Sequence, residues 1–298
     1  DCIKSSKTCD KMASASDDLK REIPHIIVLA ILVFILLFVV TKFKWVSCTD
    51  VPGDWCSVYC SVAGNSRVGI VEGEGGIGSS NEFAKQITKN RIFTYAESLP
   101  INGISSGVLK KYELVIMEGA KRIRPVQVNA LKDYVTTGGS LLWIGDAGTE
   151  HYLSDGDIGD ALYRNESNPG YFEDVVKKVN RTKGFGDSIS QILQIDYLRT
   201  EEGNNLTLTI ISKDHAVSKG LNREFTINAK QLAVVNSRSG DSSVLAYAYG
   251  TKSCTKEKPC PAIIVNRYTA PVAYVAFPIE EGGSKSLITN LMDYLVTC

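Results

Sequence analysis

The sequence predicts a single α/β domain with a mostly parallel sheet and an antiparallel extension, preceded by one transmembrane helix. The central observation is a βαβ unit. Glu113–Met117 and Ser140–Ile144 are short apolar runs, and Gln127–Val135 between them carries apolar residues at a helical spacing. Two buried strands joined by a helix are parallel, with helices on the faces of their sheet. The other two observations are a strand-rich second half of the chain and an uncharged apolar segment, Ile23–Val40.

The apolar segment Ile23–Val40 predicts a helix that crosses a membrane. As a helix it would span about 27 Å, close to the thickness of a hydrocarbon core. Pro24 is expected in its first turn, where proline removes no hydrogen bond. Lysine and aromatic residues at 42–45 form an interfacial collar where a signal peptide would have a cleavage site, so the membrane segment is assigned to residues 23–44. The same helix would also serve in the core of a protein polymer, and the sequence leaves both environments open.

Flanking charge favours a single-pass cell-membrane protein with its tail, residues 1–22, on the inner side of the membrane and a large domain on the extracytoplasmic side. The tail carries five basic residues, whereas two lysines follow the helix closely. Cysteines after the helix suit disulfides in an oxidising compartment. They are Cys48, Cys56, Cys60, Cys254, Cys260 and Cys298. We expect Cys254 and Cys260 to pair, because they bracket a polar hairpin tip. Candidate glycosylation sites in the same part of the chain are Asn165, Asn180 and Asn205. Cys2 and Cys9 precede the helix, and their role stays open.

The order of elements beyond the membrane segment follows from turn signals and hydrophobic periodicity. A cysteine-rich linker is assigned to residues 45–66, and the α/β domain to residues 67–298. Strands are expected at Arg67–Val71, Ile92–Tyr95, Leu206–Ile211, Leu232–Val235, Ser243–Tyr249, Ala262–Asn266 and Ala273–Phe277. Helices are expected at Asn81–Thr88, Tyr171–Val179 and Lys285–Val296, and Ile189–Ile195 is expected to be irregular or a strand.

Five segments, in this order, resemble the class I glutamine amidotransferase-like superfamily, in particular its trehalose-utilisation-type and non-catalytic branches. They are YELVIMEGA, LKDYVTTGGSLLWIGD, DHAVSKGL, PAIIVNRYTAPVAYVAFPIE and LITNLMDYL. The resemblance covers roughly residues 67–296 and implies a flavodoxin-like three-layer sandwich.

The same resemblance argues against the amidotransferase reaction. Catalytic members carry a nucleophile elbow, G-x-C-x-G, after the strand that corresponds to Leu141–Ile144. Here that turn reads Gly145-Asp146-Ala147-Gly148 and has no cysteine, and an aspartate cannot replace the attacking thiolate. A His-Glu relay is missing too, because His151 follows the elbow too closely and His215 belongs to the DHAVSKGL turn. We therefore expect no catalytic residues and no cofactor.

Two loops carry the alternative functions. Gly73, Gly75 and Gly78 match the dinucleotide pattern G-x-G-x-x-G after a strand, with Glu97 as the acid that would bind ribose. Carboxylates within that loop would repel a pyrophosphate, so dinucleotide binding is the less favoured alternative. A sugar or metal site, or a hydrolase, would instead use the loops at Gly73–Gly78 and Gly145–Gly148. Its candidate residues are Glu72, Glu74, Glu118, Asp146 and His151. These residues would equally occur in solvated loops.

The function that the sequence favours is structural or interaction-based: a membrane-anchored subunit of a cell-envelope, surface or filament assembly. Its expected partners are membrane lipid or a hydrophobic helix bundle, together with protein partners or further copies of the chain. A formal net charge of +0 and the lack of a basic cluster interleaved with aromatic residues give no support to a nucleic-acid partner.

Overall fold

A computed structural model describes residues 6–42, 46, 51–64, 66–90, 94–151, 184–238 and 242–296. The chain divides into two compact units, residues 1–59 and residues 60–296, which are described separately. Several predictions lie outside the described residues: Cys2, Cys48, Cys298, Asn165, Asn180 and the helix Tyr171–Val179.

The first unit is built on one long helix, α1 (Ser6–Lys42). Its segment Ile23–Lys42 has a mean hydropathy of 3.2 and is 0% buried, so it is long and apolar enough to cross a membrane. A signal sequence would have the same features. Pro24 was expected in the first turn, but the helix begins at Ser6, so this proline lies inside it. It therefore leaves the carbonyl of Lys20 without its usual helical hydrogen bond, which favours a bend there.

A second helix, α2 (Trp55–Ala63), lies within the segment assigned as a linker. Its first turn packs on α1 through aromatic rings. Trp55 contacts Phe34 with ring centroids 5.3 Å apart, and Tyr59 contacts Phe38 at 4.9 Å. The Trp55 indole also donates a buried hydrogen bond of 3.0 Å to the Thr41 hydroxyl. The chain therefore turns back along α1 after its apolar segment.

The second unit is a sheet with helices against it. Its strands are β1 (Ser66–Glu72), β2 (Thr94–Pro100), β3 (Leu114–Met117), β4 (Arg122–Ile123), β5 (Ser140–Ile144), β6 (Glu150–His151), β7 (Ile195–Ile210), β8 (Glu224–Thr226), β9 (Gln231–Ser237), β10 (Ser243–Thr251), β11 (Cys260–Arg267) and β12 (Pro271–Val275). Its helices are α3 (Ser80–Asn90), α4 (Ser106–Leu109), α5 (Pro125–Thr136), α6 (Gly186–Leu193), α7 (Ile279–Gly282) and α8 (Lys285–Leu295).

The sheet order is β2-β1-β3-β5-β12-β11-β10-β7-β8, with β9 paired to β7. The pairs from β2 to β12 are parallel, and the pairs from β12 onward are antiparallel. The predicted α/β class, a parallel sheet with an antiparallel extension, is confirmed. Strands β3, β5 and β12 are buried at every residue, as expected for parallel strands covered on both faces.

The structure corrects two sequence predictions in the second half. Ile189–Ile195 was expected to be irregular or a strand, but α6 covers most of it. Ile189, Ile192 and Leu193 are buried at the i, i+3, i+4 spacing of a helix, which a short apolar run does not distinguish from a strand. Strand β7 begins at Ile195, well before the expected Leu206, and its first half pairs with β9.

The hairpin between β10 and β11 is closed by a disulfide between Cys254 and Cys260, as the sequence predicted. Cys56 and Cys60 in α2 are disulfide-bonded as well. Asn205, the described glycosylation candidate, is exposed in a left-handed backbone conformation within β7, with φ of 55°. Its position leaves the side chain accessible to modification.

Candidate functional site at the carboxyl edge of the sheet

The loops that follow β1, β3 and β5 meet at one edge of the sheet, where open α/β folds place their sites. Backbone hydrogen bonds join them. The amide of Gly76 donates to Gly119 O at 3.1 Å, the amide of Lys121 to Glu74 O at 3.2 Å, and the amide of Gly148 to Ala120 O at 2.8 Å. Backbone hydrogen bonds therefore join the three loops across this edge.

Asp146 is bound from three sides within these loops. Its side chain is nearly fully buried. One carboxylate oxygen accepts from the Ile77 amide at 2.9 Å, and the other accepts from the Thr200 hydroxyl at 3.2 Å and lies 3.3 Å from the Lys121 ammonium. Burial lowers the pKa of Lys121, but the carboxylates of Asp146 and Glu150 outweigh it and hold that pKa above its ordinary value. This carboxylate thus joins the loop after β1 to β7.

The turn that resembles a nucleophile elbow is covered by a side chain of the neighbouring loop. Gly145 has φ of +60°, and a Cβ at that position would lie 2.2 Å from a side-chain carbon of Ile77. Ile77 is itself only 5% exposed and Ala147 is fully buried. The side chain of Ile77 therefore packs directly over Gly145.

Glu118 is a buried carboxyl group that follows β3. It is 0% exposed, and neither of its oxygens has a hydrogen-bond partner. Burial, followed by the adjacent carboxylate of Glu280, raises the pKa of Glu118 from 4.5 to about 10. The protonated form of Glu118 can donate to Glu280, whereas two ionised carboxylates would repel each other. Glu280 comes from the turn after β12 and was not among the residues predicted from the sequence.

An open polar cleft of about 460 Å³ lies beside this pair. Its wall includes Glu72, Glu74 and the glycines of the loop after β1, with Arg122 contributing the basic side chain. The Ser80 hydroxyl donates to Glu72 at 3.1 Å. The cleft could hold a small polar molecule.

The structure separates the five predicted site residues. Glu72 and Glu74 line the cleft, Glu118 is buried under Gly78, and Asp146 points into the contact with Ile77 and Lys121. His151 lies in β6, and its ring contacts Gly184 O at 3.2 Å. Among the residues that the structure describes, no three or more carboxylate, histidine or cysteine side chains gather into a group able to hold a metal ion.

Contacts of two glutamates bear on the dinucleotide alternative. Glu280 accepts a hydrogen bond of 2.6 Å from the Ser79 amide, so a carboxylate of the protein occupies the entrance to α3, where a pyrophosphate would lie. Glu97, the expected ribose-binding acid, accepts a hydrogen bond from the Tyr112 hydroxyl within the sheet. Burial and this contact raise the pKa of Tyr112 to about 12. Both contacts weigh against a bound dinucleotide.

Glu280 and Lys121 are the site residues that sequence reasoning missed. Glu280 follows the last parallel strand, so its arrival at the same edge could have been read from the strand order. That order became known only with the pairing of β12 to β5. Lys121 sits two residues after Gly119 in a loop whose path the sequence does not specify.

Comparison with solved structures shows a shared fold. A beta-galactosidase from Bacillus circulans sp. alkalophilus superposes with a TM-score of 0.52 at 15% identity, over 77% of this chain and 30% of that one. A beta-galactosidase from Rahnella sp. R3 gives 0.52 at 14% identity, over 80% and 33% of the two chains. A ThuA-like protein from Bacteroides uniformis gives 0.52 at 14% identity, over 78% and 91%.

The chain thus spans about a third of the length of the two beta-galactosidases. No protein-family model matches the chain, and comparison with curated proteins found no match.

Proposed function

We propose that this chain is a non-catalytic, membrane-anchored structural or interaction subunit of a cell-envelope, surface or filament assembly, with its α/β unit on the extracytoplasmic side. One observation carries the proposal: the turn where the resembling enzymes hold their nucleophile has none, and its carboxylate, Asp146, serves to bind neighbouring loops. A scaffold that keeps its core and an apolar anchor, and whose loops at this edge are bound to one another, is suited to contact rather than turnover.

The fold shared with a ThuA-like protein supports the resemblance to the trehalose-utilisation-type branch of the amidotransferase-like superfamily. We propose a distant membership of that branch. The exposed position of Asn205 and the Cys254–Cys260 disulfide support an extracytoplasmic unit that is stabilised by disulfides and glycosylated.

The first experiment is the native mass of the full chain, extracted from its own membranes in a mild detergent. We expect a regular oligomer, because large apolar side chains of α1 are exposed along its apolar half. Leu32→Ala changes a side chain on this exposed face. The helix stays apolar enough to insert into a membrane, but the smaller side chain loses packing area against a neighbouring helix. It should lower the assembled fraction.

Glu74→Gln is the matched control, because Glu74 lines the cleft on the other unit. Its assembled fraction should equal that of the unchanged chain. A monomer in every preparation, with or without detergent exchange into lipid, would refute the assembly role.

A second function is favoured by the cleft itself: binding of a small polar ligand such as a sugar. The carboxylate of Glu74 would accept hydrogen bonds from its hydroxyl groups, and the guanidinium of Arg122 would donate to them. Stabilisation of the unchanged chain by a sugar, lost in Glu74→Gln, would favour this function over a purely structural one.

A further inference from the structure

A pair of carboxyl groups at the sheet edge lies outside the function proposed above. Glu118 comes from the end of β3, and Glu280 comes from the first turn of α7. Outside the pair itself, three of their four oxygens are buried without a hydrogen-bond partner: both of Glu118 and Oε2 of Glu280. The fourth, Oε1 of Glu280, accepts from the Ser79 amide. Buried polar atoms left without partners in this number need a physical explanation.

The electrostatic surroundings of the pair are acidic. The influences on Glu118 are burial, Glu280 and the neighbouring Glu281, and each of them opposes the ionised carboxylate. A buried pair of this kind reduces its negative charge in one of two ways: it holds a proton, or it holds a cation.

The path from solvent to the pair is short. A Cβ placed on Gly78 would lie 2.7 Å from Oε1 of Glu118, so only a glycine backbone separates this carboxylate from the cleft that Gly78 lines. Ser79, which binds Glu280, lines the same cleft. Both carboxyl groups therefore contact residues that line the polar cleft, and the cleft is the side from which an ion would enter.

We propose that Glu118 and Glu280 together bind a hard divalent cation, such as Ca²⁺, Mg²⁺ or Mn²⁺, through their unpartnered carboxylate oxygens. These ions prefer carboxylate oxygens and complete their shells with backbone carbonyls and water, so two acidic side chains suffice as the charged ligands. The bound ion replaces the proton held by the pair, and that proton is released to solvent. It also links the end of β3, α7 and the entrance to α3.

The test is thermal unfolding of the full chain in mild detergent at about pH 8, after treatment with a chelator, with each cation added separately at about 1 mM. We expect the cation that fits to raise the unfolding midpoint by roughly 5 °C or more once it exceeds its dissociation constant about a hundredfold. Glu118→Gln and Glu280→Gln should lose this shift and still fold, because each substitution removes the repulsion and keeps the side-chain size. Glu281→Gln, an exposed neighbour, is the matched control and should retain the shift.

Titration calorimetry in two buffers of different ionisation enthalpy provides a second readout. Binding at the pair should release close to one proton in the unchanged chain, whereas adsorption to surface carboxylates would release none. Equal unfolding midpoints with cation and with chelator would overturn the proposal and identify the pair as a site for a shared proton. A shift that persists in Glu118→Gln and Glu280→Gln would overturn it as well.

Discussion

At the scale of single residues, the two acidic positions at the sheet edge have opposite surroundings. Asp146 is bound by an amide, a hydroxyl and an ammonium group, whereas Glu118 faces a second carboxylate and has no donor. A buried carboxylate therefore stabilises the fold at Asp146 and destabilises it at Glu118. The difference lies in the hydrogen-bonding and charged partners, because a buried group has no water to bind instead.

Asp146→Ala should lower the free energy of unfolding by about 2 to 4 kcal/mol, since it leaves the buried Ile77 amide without its acceptor and removes the nearer of the two carboxylates beside Lys121. Chemical denaturation followed by near-UV circular dichroism measures this loss. Thr200→Val, which removes one of the three contacts, should lose less, about 1 kcal/mol. If Asp146→Ala unfolds like the unchanged chain, the carboxylate does not join the loops, and the hydrolase alternative gains weight.

Glu118 should make the α/β unit less stable as the pH rises. Its pKa is raised in the folded chain, so the native state keeps a proton that the unfolded state releases above about pH 4.5. The stabilisation is complete below that pH and is lost as the pH rises towards 10, with a slope of up to about 1.4 kcal/mol per pH unit. Urea unfolding in the presence of a chelator, repeated across that range of pH, measures this slope.

Glu118→Gln should flatten the pH dependence, and Glu281→Gln should leave it in place. Identical slopes in the unchanged chain and in Glu118→Gln would mean that another group titrates.

At the scale of elements, the contact between α5 and β5 depends on a glycine. A Cβ on Gly139 would lie 2.2 Å from the ring of Tyr134, which is buried and donates to Tyr112 O at 3.2 Å. This close approach lets the C-terminal turn of α5 lead directly into β5. Gly138 and Gly139 follow the helix, and the second of them makes room for an aromatic ring.

Gly139→Ala should therefore lower the free energy of unfolding by about 1 to 3 kcal/mol, because the ring of Tyr134 has to move within a packed core. Gly107→Ala in α4 is the control, since a Cβ there meets nothing within 4 Å. In a helix it should be neutral or slightly stabilising. The denaturant midpoints of the two variants, measured under the same conditions, test this difference. Equal midpoints would contradict the packing argument.

Helix α2 shows how an element can escape a sequence-based assignment. The sequence predicts a linker here, because cysteines together with Pro52 and Gly53 dominate the local composition. The helix gains stability from burial of Trp55 and Tyr59 against the aromatic rings of α1. A helix of nine residues would be marginal alone.

At the scale of the whole molecule, two features support the proposed structural or interaction role. They are the apolar half of α1 and the joined loops at the carboxyl edge of the sheet. The exposed apolar side chains of α1 would be covered by lipid or by other helices in the proposed role. A polar cleft of about 460 Å³ opens at the edge of the α/β unit. The native mass and the effect of Leu32→Ala together decide between a lipid-anchored monomer and an assembly.

The sequence by itself determined the apolar helix, the central βαβ unit, the α/β class, the Cys254–Cys260 pair and the lack of a cysteine in the turn Gly145–Gly148. These are local signals: an apolar run, a helical spacing, a short bracketed hairpin and the identity of one residue. Tertiary structure alone decided that Asp146 binds Ile77, Thr200 and Lys121, and that Glu118 faces Glu280. Those partners lie far apart in the chain. Most of them follow parallel strands that end at one edge, whereas Thr200 comes from the antiparallel strand β7. Strand order is set by packing of the whole sheet rather than by any local pattern.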